Sequence, residues 1–151
     1  NALRAQLATA EARSGATRWT RELEPATPTL GEADFTSPLL FGGRLYVAGF
    51  TYDRSLARNA QRARLYALDP GDGRLLWRQH AELGTATSME IVNRRLLISF
   101  DEGGLVALDP ENGFFYQKFD TGSGISGGFA TTGPWLTTLA NNGRLYLFEL
   151  R

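Results

Sequence analysis

Apolar side chains along this chain come in short runs, alternating with polar residues or continuous over four to seven positions, and each run is closed by Gly, Asn, Asp or Pro. Alternation at period 2 marks a half-buried strand, and a short continuous run between turn residues marks a buried one. The runs are rich in Leu, Val, Tyr, Phe and Trp, which suit a pleated, packed surface. They predict about 12 to 14 strands. Asn141-Asn142-Gly143, Gly42-Gly43 and Glu102-Gly103-Gly104 fall between consecutive runs, where a tight hairpin needs the positive φ that Gly and Asn supply. Only Ala2 to Ala12 has helical spacing, through Leu3, Leu7 and Ala10. The repeat described next assigns its second half to strand instead.

Leu65 to Trp77 reads LYALDPGDGRLLW, and 40 residues later Leu105 to Gln117 reads LVALDPENGFFYQ. Another 40 residues on, Leu145 to Leu150 reads LYLFEL, and 58 residues before the first copy Leu7 to Trp19 reads LATAEARSGATRW. A second unit lies between these: Ser37 to Phe50 (SPLLFGGRLYVAGF), Ser88 to Phe100 (SMEIVNRRLLISF) and Gly127 to Leu139 (GGFATTGPWLTTL). It leads the other unit by nine residues in the later copies and by 20 in the first, so about 11 residues are inserted near Thr51 to Ala63. Four short antiparallel strands per 40 residues or so is the arrangement of a β-propeller blade. The fold predicted is all-β, an incomplete ring or half-propeller of three to four blades. A single domain is expected over 3-151, with repeat units near 3-23, 36-80, 87-120 and 126-150. Asn1-Ala2, in place of an initiating Met, fits a processed end or a tag remnant and is set apart.

The pattern L-[YV]-A-L-D-P-x-[DN]-G, preceded by S-P-x-x-x-x-G-R-L-Y-V, resembles the repeat of pyrroloquinoline-quinone (PQQ)-type propellers over nearly the whole chain. The resemblance implies blades of four antiparallel strands. It spans quinoprotein alcohol dehydrogenases and the non-enzymatic propeller lipoprotein of outer-membrane assembly, so it implies no single function. The repeated residues are the blade builders. Asp69 and Asp109 are placed to accept turn N–H groups, Gly73 and Gly113 to take left-handed conformations, and Trp19 and Trp77 to wedge against a neighbouring blade.

Composition narrows the chemistry. The 151 residues are 42% hydrophobic and 21% charged with a formal net charge of zero, which fits a globular domain and not a dedicated nucleic-acid binder. No apolar run approaches the ~18 residues of a membrane span, so this chain is not expected to insert in a membrane. There is no Cys, which excludes disulfides and thiolate ligands, and His80 is the one histidine, so neither a multi-histidine metal site nor a serine triad is expected. Gly122 to Gly128 (GSGISGG) lacks the Lys-Ser/Thr of a phosphate loop and reads as a linker between blades. Asp101-Glu102 and Asp109-Pro110-Glu111-Asn112 lack the ligand spacing of a calcium loop and read as turns. No cofactor is expected on this chain; the competing enzymatic reading makes it an arc of a quinone-dependent dehydrogenase whose cofactor site lies elsewhere.

The insertion is the least uniform feature. Tyr52 to Arg64 reads YDRSLARNAQRAR, with Arg54, Arg58, Arg62 and Arg64 against Asp53 alone. As a short helix it aligns Arg54, Arg58 and Arg62 at i, i+4 and i+8, a stripe suited to an acidic partner; as a hairpin it is a solvated extension. Tyr52, Arg54, Arg58, Arg62 and Arg64 are therefore the candidate partner-binding residues of a non-catalytic scaffold, a module of a larger bacterial envelope or sensor protein. Six to eight blades need ~240 to 320 residues. The chain is thus expected to be a piece of a longer protein, a homodimer completing a ring, or a compact incomplete ring, with the strand near Arg18 to Leu23 completing the blade that holds Arg144 to Leu150 either within one chain or across a dimer. The family resemblance implies a periplasmic or extracellular location.

Overall fold

The computed structural model describes residues 5–24, 35–53 and 60–150. Among them there is no helix, and 13 strands form four antiparallel sheets. The first sheet pairs β1 (Ala5–Ala10) with β2 (Thr17–Glu24). The second is the sequential meander β3 (Leu39–Phe41), β4 (Arg44–Asp53), β5 (Ala60–Leu68) and β6 (Leu75–Ala81). The third repeats it with β7 (Ala86–Val92), β8 (Arg95–Phe100), β9 (Gly104–Leu108) and β10 (Phe115–Phe119). The fourth has three strands, β11 (Phe129–Thr132), β12 (Trp135–Leu139) and β13 (Leu145–Glu149). The array is therefore all-β and open, as the 40-residue pattern predicts.

Each sheet buries both faces only where it has a neighbour on each side, because alternate side chains leave opposite faces of a strand. Leu7, Trp19 and Leu23 of the first sheet pack on Val47, Tyr66 and Leu68 of the second. The opposite face of the second, with Tyr46, Ala48, Leu65, Ala67 and Trp77, packs on Leu96, Ile98, Val106 and Leu108 of the third. The far face of the third, with Leu97, Leu105 and Ala107, packs on Leu136 and Phe148 of the fourth. Fully burying one such aliphatic side chain contributes about 1.5–3 kcal/mol, so these three layers hold the array together.

Two local expectations resolve in favour of strand. Within the segment of helical spacing Ala5–Ala10 is strand β1, because its ladder to β2 places Leu7 against the second sheet, and Leu3 lies outside the described residues. The insertion continues the β4–β5 ladder through Thr51↔Arg62, Tyr52↔Gln61 and Asp53↔Ala60. Arg62 is thus a strand residue, and the i, i+4, i+8 stripe that a helix requires does not form through it. Arg54 and Arg58 lie outside the described residues. The proposed completion of the last blade by Arg18 to Leu23 is also not made within the chain: β2 ladders with β1, and no pairing joins it to β13 among the described residues.

Candidate functional site

The repeated turns are the joints of the array. In Asp69–Gly73 the Asp69 carboxylate accepts the Gly71 N–H at 2.8 Å, the Asp69 carbonyl accepts the Gly73 N–H at 2.9 Å, and Gly73 adopts φ 72°. In Asp109–Gly113 the Glu111 N–H donates to Asp109 Oδ1 at 2.7 Å and Gly113 adopts φ 73°. Each turn receives a tryptophan from the preceding sheet. Trp19 Nε1 donates to the Pro70 carbonyl at 3.0 Å and its ring lies over Gly73, where a Cβ would come within 2.6 Å of it. Trp77 Nε1 donates to the Pro110 carbonyl at 2.9 Å and lies over Gly113 in the same way. Glycine is required at these two positions by both φ and the absence of room.

Around each tryptophan the joint carries polar contacts that no local pattern announces. Arg21 Nη1 donates to the Gly73 carbonyl at 2.9 Å. Arg44 makes a bidentate contact with Glu111, at 3.1 and 2.7 Å, and the Tyr46 hydroxyl donates to the Pro110 carbonyl at 3.1 Å. Burial pushes the Tyr46 phenol above its usual 10.0; Arg44 opposes the shift, and Glu111 and Asp109 add to it. The signal for Arg44 in the sequence is its place directly after the Gly42-Gly43 turn, shared by Arg95 after Asn93-Arg94.

Acidic and histidine candidates for chemistry are occupied by structure. Asp101 Oδ1 accepts the Thr85 N–H at 2.6 Å, and the Asp109 carboxylate also takes the Asn112 amide and the Tyr116 hydroxyl. No group of three or more His, Cys, Asp or Glu side chains converges among the described residues. His80 is exposed on β6, opposite Arg64. The GSGISGG segment runs from β10 to β11 as a linker; Gly124, at φ 71°, passes so close to the Asp101 backbone that a Cβ would meet its carbonyl oxygen at 1.8 Å.

Two surfaces remain for recognition. The β4–β5 hairpin extends well past its counterpart β8–β9: ten and nine residues against six and five. In its ladder Arg62 pairs with Thr51, Arg64 with Gly49 and Tyr52 with Gln61, while Arg54 and Arg58 lie outside the described residues. The second surface is the outer face of the fourth sheet, where Leu139, Leu145 and Leu147 are 57%, 74% and 66% exposed and Trp135 stands beside them at 43%. Among the described residues nothing covers it, although Leu65 and Leu105, the equivalents of Leu145 at 40-residue intervals, are buried.

No helix among the described residues is long and apolar enough to cross a membrane. The family described as outer membrane protein assembly factor BamB matches residues 2–123. No curated protein sequence matches the chain. Among solved structures, the computationally designed Ika4 protein superposes with a TM-score of 0.69 at 9% identity, covering 97% of this chain and 80% of that one. BamB from Moraxella catarrhalis superposes with a TM-score of 0.69 at 20% identity, covering 96% of this chain but 40% of that one. The designed Ika8 protein follows at 0.62 and 9%, over 91% of this chain and 37% of that one. At these identities the likeness establishes the propeller fold, and the chain spans well under half the length of the Moraxella protein.

Proposed function

The chain belongs to the family of the outer membrane protein assembly factor BamB, and from that premise we propose that it is a non-catalytic propeller-type interaction domain that binds a protein partner in the bacterial envelope. The observation that carries this reading is the division of labour among its polar residues. The turn aspartates hold the turns, and the tryptophans and Arg44 join neighbouring blades, while β4 and β5 run ten and nine residues against six and five in β8 and β9, a length the repeat does not call for and in which the inserted arginines lie. Loops held out from a rigid scaffold are where such folds recognise partners. Arg54, Arg58, Arg62 and Arg64 give that hairpin the charge to engage an acidic surface, with Tyr52 as an aromatic contact. A periplasmic location goes with this reading.

The test uses a fluorescein-labelled hexaglutamate peptide as the acidic probe. Fluorescence anisotropy should show salt-sensitive binding to the whole chain, weakened about 10-fold or more when Arg54, Arg58 and Arg62 are replaced with Ser, with an unchanged melting temperature. Equal binding by the parent and the triple variant contradicts the assignment to the hairpin. A quinone-dependent dehydrogenase arc predicts instead an absorbance change on adding pyrroloquinoline quinone. A ring-completing homodimer is the competing arrangement, and static light scattering separates the cases: a monomer rules it out.

A further inference from the structure

Two turns of this chain hold an Asn-Gly pair in the same local arrangement but in opposite surroundings. Asn112 Oδ1 accepts the Phe114 N–H at 2.8 Å, and Asn142 Oδ1 accepts the Arg144 N–H at 3.1 Å. Such a bond folds the side-chain amide back along the main chain towards the glycine nitrogen and polarises its C=O. The glycine N–H groups are bonded within their turns, Gly113 to the Asp109 carbonyl at 2.8 Å and Gly143 to the Ala140 carbonyl at 2.9 Å. Asn112 is locked further: its Nδ2 donates to Asp109 Oδ2 at 3.2 Å, and Gly113 is buried under the Trp77 ring, which a Cβ would meet at 2.7 Å. Asn142 has neither restraint. Its Nδ2 donates to no other described residue, and Gly143 is exposed, at φ 81°, with nothing within 4 Å of its Cβ position. The opening has a local cause: Gly103, 40 residues earlier, is buried against Leu83 of the preceding linker, and the residue 40 after Leu83 is Ser123.

We propose that Asn142 is a site of spontaneous covalent modification, converting through a cyclic imide with Gly143 into aspartyl and isoaspartyl residues. Water is the one co-reactant, and nothing is oxidised or reduced. Local opening releases the Gly143 N–H from Ala140, and an exposed turn opens more readily than one packed in a joint. The Gly143 nitrogen then gives its proton to solvent and attacks the Asn142 side-chain carbonyl carbon, forming a C–N bond. Negative charge collects on Oδ1, where the Arg144 N–H already donates. The bond to Nδ2 breaks, and ammonia leaves with a proton from water. A water molecule adds to either carbonyl of the imide and opens the ring, so the chain continues through the main-chain carbonyl as aspartyl or through the side-chain carbonyl as isoaspartyl. At Asn112 the same attack would build negative charge beside the Asp109 carboxylate, in a space that Trp77 fills. The product alters the grip on the linker between β10 and β11. The Asn142 N–H donates to Ser123 Oγ at 3.1 Å, and the neighbouring Asn141 side chain donates to the Asp101 carbonyl and accepts the Ser126 N–H. An isoaspartyl link adds a carboxylate and lengthens the main chain by a carbon inside that grip, which loosens it.

The test incubates the whole chain at mildly alkaline pH and follows it by peptide mapping, with electron-transfer fragmentation to separate isoaspartyl from aspartyl. Asn142 should convert about 10-fold or more faster than Asn112 and give both linkages. In concentrated urea the two rates should converge, because both residues precede glycine and only the fold distinguishes them. Ser123→Leu, which restores the cover that Leu83 gives Gly103, should slow conversion at Asn142, and Ser123→Ala should not. The isoaspartyl form should melt below Asn142→Asp, which adds the carboxylate without lengthening the chain. Equal rates at the two asparagines in the folded chain, the same rate difference in urea, or an aspartyl product alone overturns the proposal, and equal melting temperatures overturn the loosening of the linker.

Discussion

Trp77 shows how much of this fold depends on single side chains. It is 8% exposed, fills the gap over Gly113 and satisfies its indole N–H on Pro110. Trp77→Ala should destabilise the chain by about 3–5 kcal/mol, read from urea unfolding, and Trp19→Ala by less, because Trp19 is only half-buried. Tyr46 adds a pH dependence. Its raised folded-state pKa means that above pH 10.0 the folded chain holds a proton the unfolded chain has released, so stability is unaffected below that pH and falls as pH rises through it. Tyr46→Phe should remove that component of the alkaline loss while costing about 1 kcal/mol at neutral pH through the lost bond to Pro110. The Asp, Gly and Trp positions are legible in the sequence because they lie within one turn and its following strand and recur at fixed spacing. The Arg44–Glu111 pair is not, because its members are 67 residues apart and meet only when two blades stack.

At the scale of elements, hairpins were legible wherever Gly or Asn marks them. Asn93-Arg94 makes the same positive-φ turn, at 47° and 60°, but Arg at its second position hides it. β1 carries helical spacing and is a strand because its ladder and the packing of Leu7 outweigh a few tenths of a kcal/mol per residue of helix propensity, and the described ends of the insertion are strand through the β4–β5 ladder. The linker after β10 is more constrained than its Gly and Ser content implies. Gly124→Ala adds a methyl group against the Asp101 carbonyl in a left-handed conformation, a strain of roughly 1–3 kcal/mol from φ alone before the clash. Its melting temperature should fall well below that of Gly127→Ala, where the added carbon meets nothing within 4 Å.

The whole molecule is a series of sheets in which each covers the apolar face of the one before. The period of the repeat made that stacking readable, and the family match places it among propellers. What the period does not reveal is where the stacking stops among the described residues, which is at the outer face and free edge of the fourth sheet. An unpaired, apolar edge strand is a template for a further strand. Hydrogen–deuterium exchange of the whole chain at low concentration tests this most directly, because β9 and β13 are repeats of one another and serve as internal controls. The outward-facing amides of Leu145–Glu149 should exchange orders of magnitude faster than those of Gly104–Leu108, which are laddered on both sides. Equal protection of the two strands in a monomer would mean that the array is closed and contradict the open stacking of sheets.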